Sequence, residues 1–552
     1  MSLRRSFRHF MTRVRRDGVG CIPGMVHTRW MTFRRRHVLA EETARRAAQE
    51  DAYQRWILRH TQPDAAPFEA RMRLSFLIPT YNTCPEHLSA LAESLLAQSC
   101  PAWEACMYDG ASPDPATRAT LSALAQRDPR FRVCLGQENG GISGNTNAAF
   151  AMAQGEVIAL CDHDDLLAPD AVRCILEAAQ DGADFIYTDE DKVTADGTRF
   201  FDPHLKPDFA PDSLRAGNYI CHITAMTRQL AQQLVARDGS LLRSAFDGSQ
   251  DHDLALRATE MAQHIVHIPR ILYHWRMLEG SFSHQKAEKC ALAATAAVRD
   301  QLKRLSIPAQ VSMAALRPRI RYAVPENAAV TAIVVGKGRI PRINAEVVRI
   351  DDYAQANAAA QSARGEYLLF LQAGMKPLER GDWLNEMLMH AARPGVGCVG
   401  SAILDGERFY RHAGYAVSGS GAVSHHAGQW LYGRPYMITD RLVRNVTGVS
   451  AALMLIRREL FLSLGGFGEY ESDLRGADLG LKCLRAGYVN VYTPHARMIC
   501  KGPLPCLRES APAGDPGRFC AAWGAHPQER YHSPLFAPDG SMAIDLSDKE
   551  EA

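Results

Sequence analysis

The chain has 552 residues and a mass of 60.9 kDa; 46% of the residues are hydrophobic and 22% are charged. This composition is typical of a globular protein and excludes a mostly disordered chain, a collagen-like chain and a coiled coil, while the length predicts about two to four domains. No apolar run reaches the ~18–20 residues of a membrane-spanning helix, and the 14 cysteines form no CxxC pair, so neither a structural zinc site nor a disulfide framework is predicted.

Positive charge is concentrated at the N-terminus. The net charge is +2, yet residues 1–36 contain ten arginines and a single acid, Asp17; the segment therefore carries +9 and the remainder −7. Aromatic residues such as Phe7, Phe10 and Trp30 lie among the arginines. The segment is compatible with a solvated tail, a contact with an anionic membrane surface, or a contact with nucleic acid. Because the N-terminus lacks the apolar stretch of a signal peptide, we expect a cytoplasmic protein.

Short apolar runs alternate with helical patterns from residue 74 onward. The predicted strands are Leu74–Ile78, Ala105–Tyr108, Phe131–Leu135, Glu156–Cys161, Asp184–Thr188 and Ile265–Leu272. The predicted helices include Ala116–Ala125, Asn145–Ala153 and Pro169–Gln180, and a further helix, Val38–His60, precedes the first strand. This alternation predicts a doubly wound, mostly parallel α/β sheet of the Rossmann-like kind.

Acidic or amide side chains follow four of the predicted strands. They are Tyr81-Asn82, Asp109, the cluster Asp162, Asp164 and Asp165, and the triplet Asp189, Glu190 and Asp191. A single acid at a strand end is typical of a helix N-cap. Four such ends, however, share the rim where open α/β sheets bind ligands. Crowded carboxylates repel one another unless a cation lies among them. The pattern therefore predicts a divalent metal, and oxygen ligands favour Mg²⁺ or Mn²⁺ over zinc.

Six motifs occur in a characteristic order along the chain. They are Phe76-Leu-Ile-Pro-Thr-Tyr-Asn82, Asn139-Gly-Gly-Ile-Ser143, Gly155-Glu156 with Asp162-His-Asp-Asp165, Tyr187-Thr-Asp-Glu-Asp191, Gly248-Ser-Gln-Asp251 and Tyr273-His-Trp-Arg276. Together they resemble the family 2 glycosyltransferases of GT-A fold, and in particular the bacterial enzymes that build O-antigen and other surface polysaccharides, many of them rhamnosyltransferases. The resemblance is strong over residues 72–310 and continues weakly to the C-terminus.

The resemblance implies an inverting transfer of a sugar from a nucleotide-diphosphate sugar to a saccharide acceptor. It implies that Asp162 and Asp164, the DxD of the family, are the metal ligands and that Asp251 is the general base. The residues that it assigns to the nucleotide sugar are Pro79, Thr80, Tyr81, Asn82, Asp109, Asn147, Asp162, His274 and Arg276. Those that it assigns to the acceptor or sugar pocket are Asp189, Glu190, Asp191, Asn218 and His222. Gly110 replaces an acid that reads the base in the family, which leaves the identity of the base open.

Part of this pattern recurs later in the chain. A shift of 210 residues places Asn147 and Gly155-Glu156 on Asn357 and Gly365-Glu366, but it places Asp162 on Gln372. A shift of 225 residues places the proposed base, Asp251, on Gly476. Residues 326–502 are therefore predicted to form a truncated, degenerate GT-A-like domain that serves packing, acceptor-chain binding or dimerisation and not catalysis.

The predicted organisation is a basic segment and helix over 1–71, a catalytic domain over 72–310, the degenerate domain over 326–502 and a tail over 503–552. The resemblance implies a lipid-linked saccharide acceptor, a peripheral location on the cytosolic face of the inner membrane, and no nucleic-acid partner. Two alternatives remain open. One is a non-catalytic scaffold of the same fold, which the intact acids of the first copy disfavour. The other is a metal-dependent nucleotidyltransferase or phosphatase, whose characteristic loops are missing after the first strand.

Deleting residues 1–36 is predicted to weaken cosedimentation of the chain with anionic liposomes. Each basic residue near such a surface contributes about 1 kcal/mol. Raising the salt concentration should have the same effect on the intact chain, because screening shortens the attraction. Uncharged liposomes serve as the control. A truncated chain that cosediments as well as the intact one would contradict the membrane contact.

Overall fold

The structure is a computed structural model that describes residues 49–278, 287–419, 421–433, 436–502, 504 and 514–547. Residues 49–60 are helical, which agrees with the C-terminal part of the helix predicted over Val38–His60. The basic segment 1–36, the start of that helix and parts of the predicted tail lie outside the described residues. Among the helices that the structure describes, none combines the length and apolar character needed to cross a bilayer.

The first α/β unit, Leu74–Arg304, is built around a nine-stranded sheet. In chain order its elements are β1 (Leu74–Thr80), α1 (Pro85–Leu96), β2 (Trp103–Asp109), α2 (Pro115–Arg127), β3 (Phe131–Leu135), α3 (Gly141–Met152), β4 (Val157–Leu160), β5 (Leu166–Leu167), α4 (Ala171–Gln180), β6 (Phe185–Val193), β7 (Phe200–His204), α5 (Pro211–Ala216), β8 (Thr224–Thr227), α6 (Arg228–Asp238), α7 (Gln250–Ala258), β9 (Ile265–Arg276) and α8 (Ala287–Arg304).

The strands of this sheet follow the order β3-β2-β1-β4-β8-β6-β9-β5, and β7 pairs with β6. Strands β3, β2, β1 and β4 are parallel, as are β6 and β9, whereas β8 runs antiparallel to both of its neighbours. The predicted α/β class is confirmed, with the parallel pairing confined to these two groups. Strand β1 is buried on both faces: Phe76 and Ile78 pack with α1 and α4, and Leu77 packs with α3 and α7.

Two strands extend further than the sequence predicted. Strand β6 continues to Val193, so Asp189, Glu190 and Asp191 lie within it and not after its end. Strand β9 continues to Arg276 and pairs with β6 over this stretch, with Asp191 opposite His274. The prediction of strand ends at Thr188 and Leu272 was therefore wrong. Charged side chains suggest a loop when their cross-strand partners are not known.

A second α/β unit, Val330–Ile499, follows a hairpin of β10 (Ala309–Ala314) and β11 (Arg317–Tyr322). Its elements are β12 (Val330–Val335), β13 (Glu346–Ile350), α9 (Ala356–Ser362), β14 (Tyr367–Gln372), β15 (Lys376–Pro377), α10 (Trp383–Ala391), β16 (Val396–Leu404), β17 (Tyr410–His412), β18 (Tyr415–Ser418), β19 (Gly421–Ser424), β20 (Arg444–Val446), β21 (Leu453–Arg457), α11 (Arg458–Ser463), α12 (Leu474–Arg485) and β22 (Val489–Ile499). A last helix, α13 (Gly514–Trp523), packs beside α12.

The two sheets share one strand order. The second sheet runs β13-β12-β14-β21-β16-β22-β15, with β17 paired to β16. This order matches β2-β1-β4-β8-β6-β9-β5 with β7 paired to β6, and the matched neighbours have the same relative directions. The second sheet has no counterpart of β3 in this order and adds β20 beside β22.

Individual hydrogen bonds recur as well. The side-chain amide of Asn147 accepts from the N–H of Leu242 and donates to its carbonyl, both at 2.9 Å. Asn357 makes the same pair of bonds with Phe467, at 3.0 and 2.9 Å. Both donor and acceptor of the Asn147 amide are thus used within the scaffold.

Replacing Asn147 or Asn357 with Ala should lower the free energy of unfolding by about 1–3 kcal/mol. In each variant a buried backbone N–H and carbonyl, those of Leu242 or Phe467, lose their partners. The shift can be measured by denaturant unfolding. Asn344→Ala is the control, because this amide is exposed. An unchanged unfolding midpoint for Asn147→Ala would contradict the structural role.

Candidate active site

The loop after β4 is anchored by a buried carboxylate, Asp165. The hydroxyl of Tyr273 donates to its Oδ2 at 2.6 Å, and the backbone N–H of Arg276 donates to its Oδ1 at 2.7 Å. Burial, together with the charges of Asp162 and Asp164, raises the pKa of Asp165 well above its usual range. Both oxygens of Asp165 are therefore used to attach the loop to β9.

Asp162 and His222 lie on the open side of this anchor. The N–H of Asp162 donates to the hydroxyl of Tyr273 at 3.1 Å, and 41% of the Asp162 side chain is exposed. The His222 Nε2 atom lies 3.8 Å from Asp162 Oδ2, and its ring stacks on Tyr273 with centroids 4.8 Å apart. Burial opposes protonation of His222, but the nearby carboxylates of Asp162 and Glu190 outweigh it and raise the pKa of the imidazole. The surroundings of Asp162 and His222 therefore favour positive charge.

Asp162, Asp165 and His222 form a possible metal site. Each offers a ligand atom, and these atoms all lie within 4.8 Å of one another. No other trio of His, Cys, Asp or Glu side chains in the described part of the chain converges in this way. Two carboxylates and one imidazole fit a divalent cation such as Mn²⁺ or Mg²⁺. A bound cation would balance the negative charge of these carboxylates.

Asp164, predicted as a direct metal ligand, is not part of this trio. Its carboxylate lies 3.7 Å from His163 Nδ1, and its backbone carbonyl accepts a hydrogen bond from Arg276 Nε at 2.5 Å. Arg276 is buried and also donates to the carbonyl of Ala195 at 2.9 Å. In this structure Arg276 braces the loop that carries the acids; its predicted contact with the nucleotide sugar stays a prediction, as does the ligand role of Asp164.

The predicted base, Asp251, lies in the first turn of α7 and faces the same cleft. Asn218 donates from Nδ2 to Asp251 Oδ2 at 2.8 Å. The charge of Asp251 is close enough to contribute to the raised pKa values of both Asp162 and His222. The structure thus brings together Asp162, Asp251, Asn218 and His222, four residues that the sequence assigned to donor, base and acceptor.

The acidic triplet of β6 is buried in ion pairs. Asp189 Oδ1 lies 2.8 Å from His267 Nε2, and Asp191 lies 2.5 Å from His274 Nδ1 and accepts from the hydroxyl of Tyr53 at 2.7 Å. In this structure Asp191 and His274 bind each other within the sheet. Their predicted contacts with substrate remain untested.

Glu190 is paired with Lys206, a residue that the sequence analysis did not identify. Burial alone would raise the pKa of Glu190, but Lys206 and His204 lower it to about 2. Lys206 is fully buried; its ammonium lies 3.3 Å from Glu190 Oε2 and donates to the carbonyls of Ile220 and His222. Lys206 therefore holds the turn that carries His222. A lone lysine between predicted elements gives no sequence signal of such a role.

The ends of β1 and β2 form the side of the cleft assigned to the nucleotide. Pro79 and Thr80 are buried, while Tyr81 is 44% exposed and available for stacking. Asn82 adopts a φ of 50° and donates its N–H to Ser112 Oγ at 2.8 Å. Asp109 is buried and accepts from the N–H of Ser112 at 3.0 Å.

Gly110, which the resemblance places where the family has an acid, lies against the side chain of Asn145. A Cβ atom at this position would lie 2.3 Å from Nδ2 of Asn145. Asn145 is itself held by the side chain of Asn139 at 3.1 Å and accepts from the N–H of Gly140 at 3.1 Å. Any side chain at position 110 would therefore displace the loop that begins α3.

Comparisons with known proteins identify a family that matches part of the first α/β unit. Residues 75–235 match the family "Glycosyl transferase family 2". Over 486 residues the chain is 33% identical to the uncharacterized protein y4gI of Sinorhizobium fredii, covering 77% of this chain and 52% of that protein. Over 492 residues it is 30% identical to the O-antigen biosynthesis protein RfbC of Myxococcus xanthus, covering 79% of this chain and 38% of that protein. The chain thus spans about half or less of the length of these relatives.

Among solved structures, the mannosyltransferase PcManGT from Pyrobaculum calidifontis, in complex with GDP-Man and Mn²⁺, is 18% identical. The match covers 49% of this chain and 79% of that chain with a TM-score of 0.33, too low to support a further comparison. The family match covers residues 75–235, which lie within the first α/β unit. The family predicted from the sequence motifs is confirmed.

Mn²⁺ should bind to the full chain, and Asp162→Asn should weaken the binding at least about tenfold, because the exposed carboxylate of the trio is lost. Isothermal calorimetry can measure the affinity. Asp181→Asn, a change at an exposed acid after α4, serves as the control. Asp164→Asn in the same titration decides whether Asp164 is also a ligand. Unchanged affinity in Asp162→Asn would contradict the metal site.

Proposed function

We propose that the first α/β unit transfers a sugar, rhamnose or another hexose, from a nucleotide-diphosphate sugar to a saccharide acceptor with inversion at the anomeric carbon. The observation that carries this proposal is the trio Asp162, Asp165 and His222. It lies at the carboxyl ends of the sheet, within the residues that match the family, and Asp251 faces it.

The reaction requires a base for the acceptor and a stabilised leaving group. Asp251 takes the proton of the acceptor hydroxyl as its oxygen attacks the anomeric carbon. The bond from that carbon to the diphosphate breaks, and the diphosphate leaves with the electron pair. Asn218 holds Asp251 in position through its bond to Oδ2, which leaves the carboxylate one oxygen to direct at the acceptor.

Asp162, Asp165 and His222 would hold the divalent cation, Mg²⁺ or Mn²⁺, with Asp164 as the further ligand that the resemblance implies. When bound, the cation neutralises charge that develops on the diphosphate. Asp165, Tyr273 and Arg276 keep the loop in place, so that the ligands are already oriented before the donor enters. The exposed ring of Tyr81 is placed to stack on the nucleotide base.

The product is proposed to be a bacterial surface polysaccharide such as O-antigen. The support is the relative from Myxococcus xanthus, which is named as an O-antigen biosynthesis protein. A lipid-linked acceptor at the cytosolic face of the inner membrane fits the basic segment 1–36. Transfer assays with a panel of nucleotide sugars would identify the donor sugar, its nucleotide and the linkage that is formed.

The second α/β unit is proposed to be non-catalytic. It repeats the strand order of the first sheet, yet Gln372 ends β14, the counterpart of the strand that precedes Asp162. Gly476, the counterpart of Asp251, is required by packing: a Cβ atom there would lie 2.4 Å from the carbonyl oxygen of Val449. A residue with a catalytic side chain could not occupy this position without displacing the backbone.

Asp251→Asn should reduce transfer by roughly 10²–10⁴-fold while donor binding persists, because Asn keeps the shape of the side chain but accepts no proton. Turnover of the nucleotide sugar with acceptor, and donor affinity by calorimetry, measure the two effects. Gln372→Ala in the second unit is the matched control and should leave both values unchanged. Near-full turnover in Asp251→Asn would show that the base lies elsewhere, and loss of turnover in Gln372→Ala would show that the second unit takes part in the reaction.

A further inference from the structure

We propose that the second α/β unit positions the catalytic base of the first, and that Arg393 and Asn445 are the positioning residues through which it does so. The link is the six-residue helix α5, which lies between the second unit and Asp251. This inference rests on the proposed function, because it assumes that Asp251 is the base.

One side of α5 is bound by the second unit. Arg393 donates from Nη1 to Oδ1 of Asp212 at 2.6 Å. Asn445 donates from Nδ2 to Oδ2 of Asp212 at 3.0 Å and accepts from the N–H of Asp212 at 2.9 Å. The N–H of Asn445 also donates to Ser213 Oγ at 3.2 Å. Arg393 and Asn445 of the second unit thus make four hydrogen bonds to the first turn of α5.

The other side of α5 is bound to the helix that carries the base. The carbonyl of Leu214 lies 2.7 Å from Nε2 of His252, the residue that follows Asp251. Two residues after α5 ends, Asn218 makes its 2.8 Å bond to Asp251. A displacement of α5 therefore moves both contacts that determine where Asp251 points.

The contact of Asp212 with Arg393 and Asn445, here called the clamp, is rigid because it is buried and charged. The Asp212 side chain is 2% exposed. Burial alone would raise its pKa, but Arg393 and Arg215 outweigh burial and hold the pKa well below its usual range. Arg393 is itself fixed, since its guanidinium lies 4.4 Å from the ring centre of Tyr322 and 3.3 Å from His390 Nδ1. Removing Arg393 would take away the cation that directly contacts this buried carboxylate, and a shift of α5 would bring Asp212 closer to water.

The test compares two arginine variants in the full chain. Arg393→Met removes the guanidinium but keeps the length of the side chain. It should lower kcat by about 10–100-fold, because displacement of a catalytic group by 1 Å can cost about 10²-fold. The KM for the donor should be unchanged, since the hydrogen bonds of Leu214 and Asn218 lead to His252 and Asp251, whereas Asp162 and Tyr81 belong to the loops after β4 and β1. Arg319→Met is the matched control: it breaks an ion pair with Glu386 on α10, on the same side of the second unit, and should leave kcat unchanged.

A double-mutant cycle separates positioning from general loss of stability. If Arg393 acts through Asn218 and Asp251, then Arg393→Met should have little further effect on kcat in an Asn218→Ala background. A purely structural role would reduce kcat by the same factor in both backgrounds. Asn445→Ala, a milder change at the same clamp, replaces Arg393→Met if that variant does not fold. Hydrogen exchange should report faster opening of residues 211–218 in either variant.

The outcomes distinguish this inference from the proposed function. An active wild type whose kcat survives Arg393→Met and Asn445→Ala would overturn the positioning role and leave the proposed function intact. So would full additivity in the cycle. A wild type that transfers no sugar from any nucleotide sugar in the panel would overturn the proposed function and this inference together.

Discussion

The site depends on the burial of one carboxylate, that of Asp165. A carboxylate withdrawn from water is stable only when hydrogen bonds replace the lost hydration. The hydroxyl of Tyr273 and the backbone N–H of Arg276, both on β9, provide those bonds, and the side chains of these two residues also bind the backbone of Asp162 and Asp164. These hydrogen bonds fix the loop after β4 to the end of β9. The exposed carboxylate of Asp162 can then point into the cleft because its neighbour Asp165 attaches the loop to the sheet.

The same requirement shapes the centre of the sheet. Strand β6 carries three successive acids, and each has a partner: His267 for Asp189, Lys206 for Glu190 and His274 for Asp191. Lys206 also donates to the backbone carbonyl of His222, so this buried network extends to the possible metal site. Removing one member of a buried ion pair costs more than the pair itself contributes, because the remaining charge is less well compensated. The network therefore favours a single arrangement of the strands that carry Asp162 and His222.

The second sheet retains the scaffold and loses the acids. Its strand order and the paired bonds of Asn357 to Phe467 repeat those of the first sheet. Gln372 and Gly476 stand at the positions that correspond to Asp162 and Asp251. One contact of this unit with the first lies at Asp212, on the helix that leads to Asn218. In the proposed function, the second unit has no catalytic site of its own and supports the site of the first unit through this contact.

Local patterns in the sequence were sufficient for the α/β class, the acid cluster that follows β4, and the family, since apolar periodicity and short motifs depend only on residues close together in the chain. The resemblance to the family then assigned roles to Asp162, Asp251, Asn218 and His222, and the structure brings these four residues together. Other features required the folded chain. The true extents of β6 and β9, the role of Lys206 and the use of the Asn147 amide on Leu242 depend on partners that are distant in sequence. The clamp between Asp212 and Arg393 joins residues 181 positions apart. Only tertiary packing decides whether such a charge is buried and which opposite charge it meets, because the free energy of an ion pair depends on distance and burial and neither is encoded locally.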